Sequence, residues 1–382
     1  MDYVTVLRAP RPINKRVHID AGQVVKTAGA PIVEAEAITR HVPDANAMAA
    51  LLAEISEDPN AVLVQGYQPD MVSGEPYTVM SYDKLRKIQP SYESGWVYRD
   101  RPCIARLKKN FQPSSWWQLD RDYADGIPEH LAALTNDEFV DAIDSIMHGF
   151  ANAGRVHIPS TSNRVLCNGQ PIEARSGHIW FQITDPTDCD FGDRLKLSAA
   201  LNGLGFPKRN KAGATTLWAI FDPTVFSWER ISYEGQPLVS QGLELAAPDI
   251  TVHQGARVDT RLIPWPTQQE KELLAQRYRL HLTRDGNGRV HSVIEGDLTL
   301  ETVVQTARGG MTPIEFMRLG VRKLRCQATF RDSESWNGIL FIDGTGLPCL
   351  FDNGTRIKYE LSQTEKAHLT WALDTEFEVV CN

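Results

Sequence analysis

The 382-residue sequence predicts a mixed fold of strands and helices, organised as two or three domains. Three observations carry this reading. Strand patterns recur in two forms, alternating (Tyr3-Val4-Thr5-Val6-Leu7) and near-continuously apolar (Ala61-Val62-Leu63-Val64, Thr216-Leu217-Trp218-Ala219-Ile220-Phe221). Between them lie segments whose apolar residues repeat at helical spacing. The chain closes on short strands separated by Gly344-Thr345-Gly346 and Asn353-Gly354, which read as hairpin turns.

Composition narrows the class of protein. A hydrophobic fraction of 42% and a charged fraction of 23% are those of a globular chain with real cores. The formal net charge of -8 excludes a uniformly basic nucleic-acid coat, yet permits a local basic groove. The six cysteines (Cys103, Cys167, Cys189, Cys326, Cys349, Cys381) form no C-x-x-C pair, which fits a reduced intracellular compartment and argues against a structural zinc site. Met1 to Lys15 lacks an apolar signal core, and no apolar run is long enough to span a bilayer. The expectation is a cytoplasmic protein with no membrane partner.

Residues 1–35 read as short strands and turns. Asp44 then caps a helix with Met48, Leu51, Leu52 and Ile55 as its stripe, and the strand Ala61–Gly66 comes next. Residues 67–103 read as irregular. Arg106, Lys108 and Lys109 precede an acidic strand, either as a solvated face or as phosphate contacts. Thr135 and Glu138 form a capping box for a helix that Gly154 ends. In His178–Ile183 one face holds His178, Trp180 and Gln182, with Ser176 before them; Gly177, Ile179, Phe181 and Ile183 form the expected core face. Asp193 to Leu204 is a helix with Gly205 as C-cap, and Pro207–Lys211 is a basic loop. Helices are expected over Thr267–Tyr278, near 299–307 and over 312–319, and a hairpin turn at 284–289. The closing meander runs Ile339–Asp343, Leu347–Asp352 and Arg356–Leu361.

The chemistry centres on Trp116-Trp117-Gln118-Leu119-Asp120-Arg121-Asp122. In a strand, Asp120 and Asp122 share a face, where two carboxylates repel unless a cation lies between them. Hard divalent cations take such oxygen ligands. The plain alternative is a solvated turn. A calcium loop counted from Asp120 fails, because its fifth, sixth and twelfth positions hold Ala124, Asp125 and Leu131. His178 is either a ligand contact or a core histidine. Asp222 either closes its strand as a ligand or caps the next turn or helix.

Taken in order, Asp120-x-Asp122, Ser176-Gly177-His178 and Asp222 resemble the three motifs of the archaeo-eukaryotic primase superfamily. Asp222-Pro223-Thr224-Val225-Phe226-Ser227-Trp228-Glu229-Arg230 is similar to the stretch after the third motif in primase-polymerases of phages, plasmids and integrated mobile elements. The likeness covers roughly residues 100–240. It implies an α+β fold in which an RRM-like sheet carries the motifs and residues 1–100 supply an N-terminal α/β part. The implied division is a catalytic domain over 1–260, a helical linker region over 261–320 and a β module over 321–382. That module resembles a zinc-ribbon-type primase module but has only Cys326 and Cys349, so it reads as a metal-free relative or as an unrelated β module.

The resemblance also implies an activity: making or extending primers on a single-stranded DNA template from dNTP or NTP. Asp120, Asp122 and Asp222 would be catalytic and would hold Mg2+ or Mn2+. Ser176 and His178 would bind nucleotide phosphates, with Arg175, Lys208, Arg209 and Lys211 as further phosphate or template contacts. Truncating His178 would cost little stability if Ile179 and Phe181 alone pack the core. A helicase partner, in the same or a separate chain, is implied too, and no G-x-x-x-x-G-K-[ST] occurs in these residues. Two alternatives remain open: a replication initiator with a vestigial site, and a two-metal nuclease or other nucleotidyltransferase.

Overall fold

The computed structural model describes residues 1–89, 91, 96–121, 126–172, 176–209, 215–278, 280–284, 290–294, 298–327, 329–330, 336–353, 357–362, 365–366 and 369. The protein is a mixed α+β chain with several sheets and few helices. It divides into two compact units. The first comprises Met1–Tyr123, His130–Leu195 and Ile220–Pro264; the second comprises Ala124–Glu129, Lys196–Ala219 and Trp265–Asn382.

The first unit opens with β1 (Tyr3–Arg8), β2 (Arg16–Asp20), β3 (Gln23–Thr27) and β4 (Glu34–His41). Helix α1 (Ala45–Ser56) starts where the Asp44 carboxylate accepts from the Ala47 amide at 2.9 Å, satisfying one of the orphan donors of the first turn. Then come β5 (Ala61–Val64), β6 (Tyr77–Met80), α2 (Tyr82–Ile88), β7 (Trp96–Tyr98), β8 (Arg101–Ala105), β9 (Trp116–Arg121), α3 (Asn136–Ile146), β10 (Arg155–Pro159) and β11 (Gly177–Gln182). A seven-stranded sheet runs from Ile231–Ser232 through β5, β1, β4, β6 and β8 to β7, antiparallel except for the β6–β8 pair. A four-stranded antiparallel sheet runs from Thr251–His253 through β10 and β11 to β9.

One apolar core joins these layers. Val4 and Val6 of β1, Met48, Leu52 and Ile55 of α1, Leu63 of β5, and Trp116, Val156 and Trp180 of the four-stranded sheet pack in a single cluster. The opposite face of that sheet is covered by aromatic rings, with Trp117 edge-on to Phe191 at 4.9 Å and Phe181 edge-on to Phe150 at 5.3 Å. This corrects the one-sided reading of β11. Trp180 and Phe181 are both fully buried, so both faces of the strand are core.

Other differences are local. The stretch 67–103, read as irregular, contains β6, α2, β7 and part of β8. Helix α3 has the expected Thr135–Glu138 capping box, but it stops at Ile146, well before Gly154. The helix expected from Asp193 spans Phe191–Leu201, and the left-handed residue after it is Gly203 (φ 76°) rather than Gly205.

In the second unit, Gly205–Arg209, Thr215–Ala219, Val290–Ile294 and Leu280–Arg284 form a four-stranded sheet in that order. A six-stranded sheet runs Gly309–Met311, Val304–Thr306, Lys323–Cys326, Gly338–Ile342, Pro348–Asp352, Ile357–Glu360, so the expected meander is its C-terminal half. Its core gathers Phe316, Leu340 and Leu350. The region 261–320 is not a helical linker. It holds the helices Gln268–Tyr278 and Pro313–Arg318, yet also four of the strands just named. The helix expected near 299–307 is instead a hairpin, Val304 opposite Met311, because Val303 and Val304 favour extended backbone and Gly309-Gly310 permits the return. The turn expected at 284–289 lies, past Arg284, outside the described residues. Among the described residues no helix is long and apolar enough to cross a membrane.

Gly235 shows how tightly the first unit is packed. A Cβ there would collide with the Asn14 amide and the Ala61 carbonyl, and would lie 2.6 Å from the Asp58 oxygen. Asn14 cannot step aside freely, since its Nδ2 donates to the Pro59 and Ala61 carbonyls at 2.9 Å each. Gly235→Ala is therefore expected to destabilise the protein by about 1–3 kcal/mol or more, as overpacking does. Thermal unfolding measures this, and an unshifted Tm would show that the neighbours yield.

Candidate functional site

Antiparallel pairing of β9 and β11 sets His178 directly opposite Asp120. Directly opposed residues project from the same face of a sheet, and His178 Nε2 comes within 3.5 Å of Asp120 Oδ1. Gly177 lets β11 run close against β10, its other neighbour. A Cβ at that position would stand 2.9 Å from the Ile158 carbonyl oxygen on β10, closer than real contacts allow. Beside it, Ser176 Oγ and Ser160 Oγ are 2.6 Å apart, and the Ser160 amide donates to the Ser176 carbonyl at 3.2 Å. The Ser-Gly-His order thus has a physical reading: a hydroxyl tied to the neighbouring strand, a close backbone crossing, and an imidazole delivered to the acid.

Behind His178 lies Glu234, a residue that the sequence patterns do not single out. Its side chain is 1% exposed. Oε1 accepts from His178 Nδ1 (2.8 Å), Trp180 Nε1 (2.9 Å), Ser232 Oγ (2.8 Å) and, at longer range, Gln118 Nε2 (3.5 Å). Burial by itself would depress the imidazolium of His178. The carboxylates of Glu234 and Asp120 outweigh it and push its pKa up to about 9. Burial would likewise raise Glu234, but the charged His178 and the donated hydrogen bonds hold it below the usual carboxylate range.

His178 and Asp120 open onto a cleft of about 170 Å³. Ser160, Ser162 and Ser176 form its buried polar floor. Lys15, before β2, and Lys26 and Thr27, at the end of β3, line it as well. The β2–β3 hairpin forms its own small sheet with Leu238–Val239. Two lysines, an imidazolium and four hydroxyls make a cleft suited to an anion, with Asp120 the one acid among the described residues that line it. No sequence signal marks the lysines. The run Ser160-Thr161-Ser162 between apolar strands is the clue the sequence offers.

Asp222 is brought to the same place through the backbone: its amide donates to the Asp120 carbonyl at 2.8 Å. Its strand stops at Ala219, and Asp222 caps the short 3-10 helix Pro223–Val225, its carboxylate accepting from the Thr224 amide (2.7 Å) and hydroxyl (3.0 Å). Thr215–Ala219 belongs to a different sheet from β9 and β11, so the expected single sheet carrying all three motifs is not what forms.

The remaining candidates divide. Asp122, Arg175 and Lys211 lie outside the described residues. In the second unit, Lys208 Nζ lies 3.2 Å from the centre of the Trp218 ring, a cation–π contact, and Arg209 ends the strand Gly205–Arg209. Of the early cations, Lys108 Nζ lies 4.0 Å over the Trp228 ring, whose Nε1 donates to the Lys108 carbonyl at 3.1 Å. Arg106 reaches the Glu229 carbonyl at 3.4 Å, and Lys109 is exposed. Arg164 is buried and donates to the Ala246 and Ser56 carbonyls at 3.2 and 3.3 Å, a role in holding the loop.

Elsewhere, Asp343, Cys349 and Glu360 place potential ligand atoms within 4.8 Å of one another. The Lys358 ammonium stands 3.5 Å from Asp343 and 2.5 Å from Glu360, so these carboxylates already have a cation. No protein-family model, curated protein or solved structure matches the chain.

Proposed function

We propose that the chain is a DNA primase-polymerase of a mobile element, related through its motifs to the archaeo-eukaryotic primases, that adds nucleotides to a primer on a single-stranded template. One observation supports this above others. Asp120 and His178, from two motifs far apart in sequence, are cross-strand neighbours at the rim of an anion-suited cleft, and the Asp222 backbone is bonded to that of Asp120. In this reading Lys15, Lys26, His178 and the serines hold the triphosphate, and Asp120 faces the α-phosphorus end. The primer 3′-oxygen attacks that phosphorus and pyrophosphate leaves.

The donor chemistry suits Mg2+ or Mn2+. Asp120 and Asp222 offer carboxylate oxygens, the ligands hard cations prefer. Asp120, Asp222 and Asp122 would hold such ions, which in a two-metal site assist both the attacking and the leaving oxygen.

Incubating a labelled primer-template with Mg2+ or Mn2+, with and without nucleotides, tests the proposal. Nucleotide-dependent lengthening is expected. Shortening would identify a nuclease instead, and an inert but DNA-binding protein would be an initiator with a vestigial site. The lysines are tested separately. Replacing Lys15 and Lys26 together by Gln is expected to weaken triphosphate binding by about tenfold, given at most about 1 kcal/mol for each partly exposed charge contact. An unchanged Kd would remove them from the site.

A further inference from the structure

We propose that Glu234 is a positioning residue of this site: it clamps the Nδ1 edge of His178 and so fixes Nε2 on the side of Asp120 and the cleft. The inference rests on the nucleotide-binding reading above and extends it to a residue outside all three motifs.

The order of cause is legible in the hydrogen bonds. Glu234 is held independently of His178, because Trp180 Nε1 and Ser232 Oγ donate to the same Oε1 at 2.9 and 2.8 Å. Trp180 is fully buried and packed in the core beside α1, so it cannot follow a moving carboxylate. The firm anchor of the imidazole is Nδ1 to Oε1 at 2.8 Å, against a looser 3.5 Å between Nε2 and Asp120. A ring flip would replace Nδ1 by carbon and leave the buried carboxylate short of a donor. Glu234 therefore selects the ring orientation, as an outer carboxylate fixes a functional histidine elsewhere. Ser232 closes the strand Ile231–Ser232, and Glu234, two residues on, meets its hydroxyl in one buried network, which suits a support built for the histidine rather than a chance contact.

The test uses the full chain and two readouts: equilibrium binding of a nucleoside triphosphate in chelator, and steady-state primer extension. Glu234→Gln keeps the shape and an acceptor oxygen but loses the anionic clamp. Its nucleotide Kd and KM are expected to rise about tenfold or more, the scale of one charge-assisted hydrogen bond, while template affinity stays unchanged. In a His178→Gln background the same change should have no further effect, because Glu234 acts through the ring. Should Glu234→Gln not fold, Glu234→Asp replaces it, keeping the charge while withdrawing the oxygens by one methylene, and the same rise is expected. A folded Glu234 variant with wild-type nucleotide affinity, beside a weakened His178→Gln, overturns the inference and leaves the parent reading standing. Additive losses in the double variant overturn it too. A wild-type protein that binds no triphosphate overturns both.

Discussion

Asp120→Asn is expected to reduce nucleotide incorporation by at least about a hundredfold, on the scale of removing one preorganised electrostatic group from a reaction centre. The fold should survive. The carboxylate is 23% exposed, Asn keeps its shape, and the contact to His178 is long at 3.5 Å. Asp222→Asn makes the companion measurement, and here the structure separates two roles. Asn caps helices about as well as Asp, so the bond to the Thr224 amide is retained while the charge is lost. A Tm close to wild type with incorporation down by a similar factor would assign the Asp222 charge to the chemistry. Full activity in Asp222→Asn would reduce that residue to a cap. Full activity in Asp120→Asn would remove the basis for the polymerase reading altogether.

His178→Ala is expected to destabilise the protein by about 3–5 kcal/mol, the usual result of removing one partner from a buried ion pair. For a unit of this size the fall in Tm is of the order of 10 °C. This reverses the expectation drawn from the strand pattern, in which truncating the histidine costs little. Glu234, 1% exposed, would be left as a buried carboxylate without its counter-ion. The pH dependence comes from the direction of the shifts. His178 is raised from 6.5 to about 9, so its contribution is full below pH 6.5 and is lost as pH rises through about 9. Glu234 is lowered from 4.5, so its contribution is present above pH 4.5 and is lost as pH falls through its depressed value. The stability difference between wild type and His178→Ala should therefore be largest near pH 5–6 and shrink by pH 10, as read from denaturant midpoints. A difference independent of pH across that range would mean that the two groups are not charged partners.

Much of the local structure is written in short stretches of sequence. Asp44, and Thr135 with Glu138, each start the helix that their spacing indicates, because a cap and its amide lie within four residues of one another. The alternation in β9 correctly separates Trp117, Leu119 and Arg121 from Gln118 and Asp120, since side-chain direction in a strand is a property of the backbone. By that local logic alone, the sequence determined that Asp120 and His178 stand on extended segments, His178 just after the small residues Ser176 and Gly177.

Only the tertiary structure decided what those residues touch. Periodicity shows that β11 has two faces, but not that α1 covers one and a cluster of aromatic rings the other. Glu234 reaches His178 across 56 residues, and Lys15 and Lys26 reach the cleft from in and beside a hairpin near the start of the sequence. Nothing in Ile231-Ser232-Tyr233-Glu234 distinguishes a buried counter-ion from a solvated acid, because the difference is made by neighbours that arrive only when the sheets pack. The same holds for the three motifs. Their order is a property of the chain, whereas the meeting of Asp120 with His178, and the placing of Asp222 as a cap beyond its strand, depend on register and on long-range backbone bonds. Short-range preferences fix the direction in which a side chain points, and packing fixes the company it keeps.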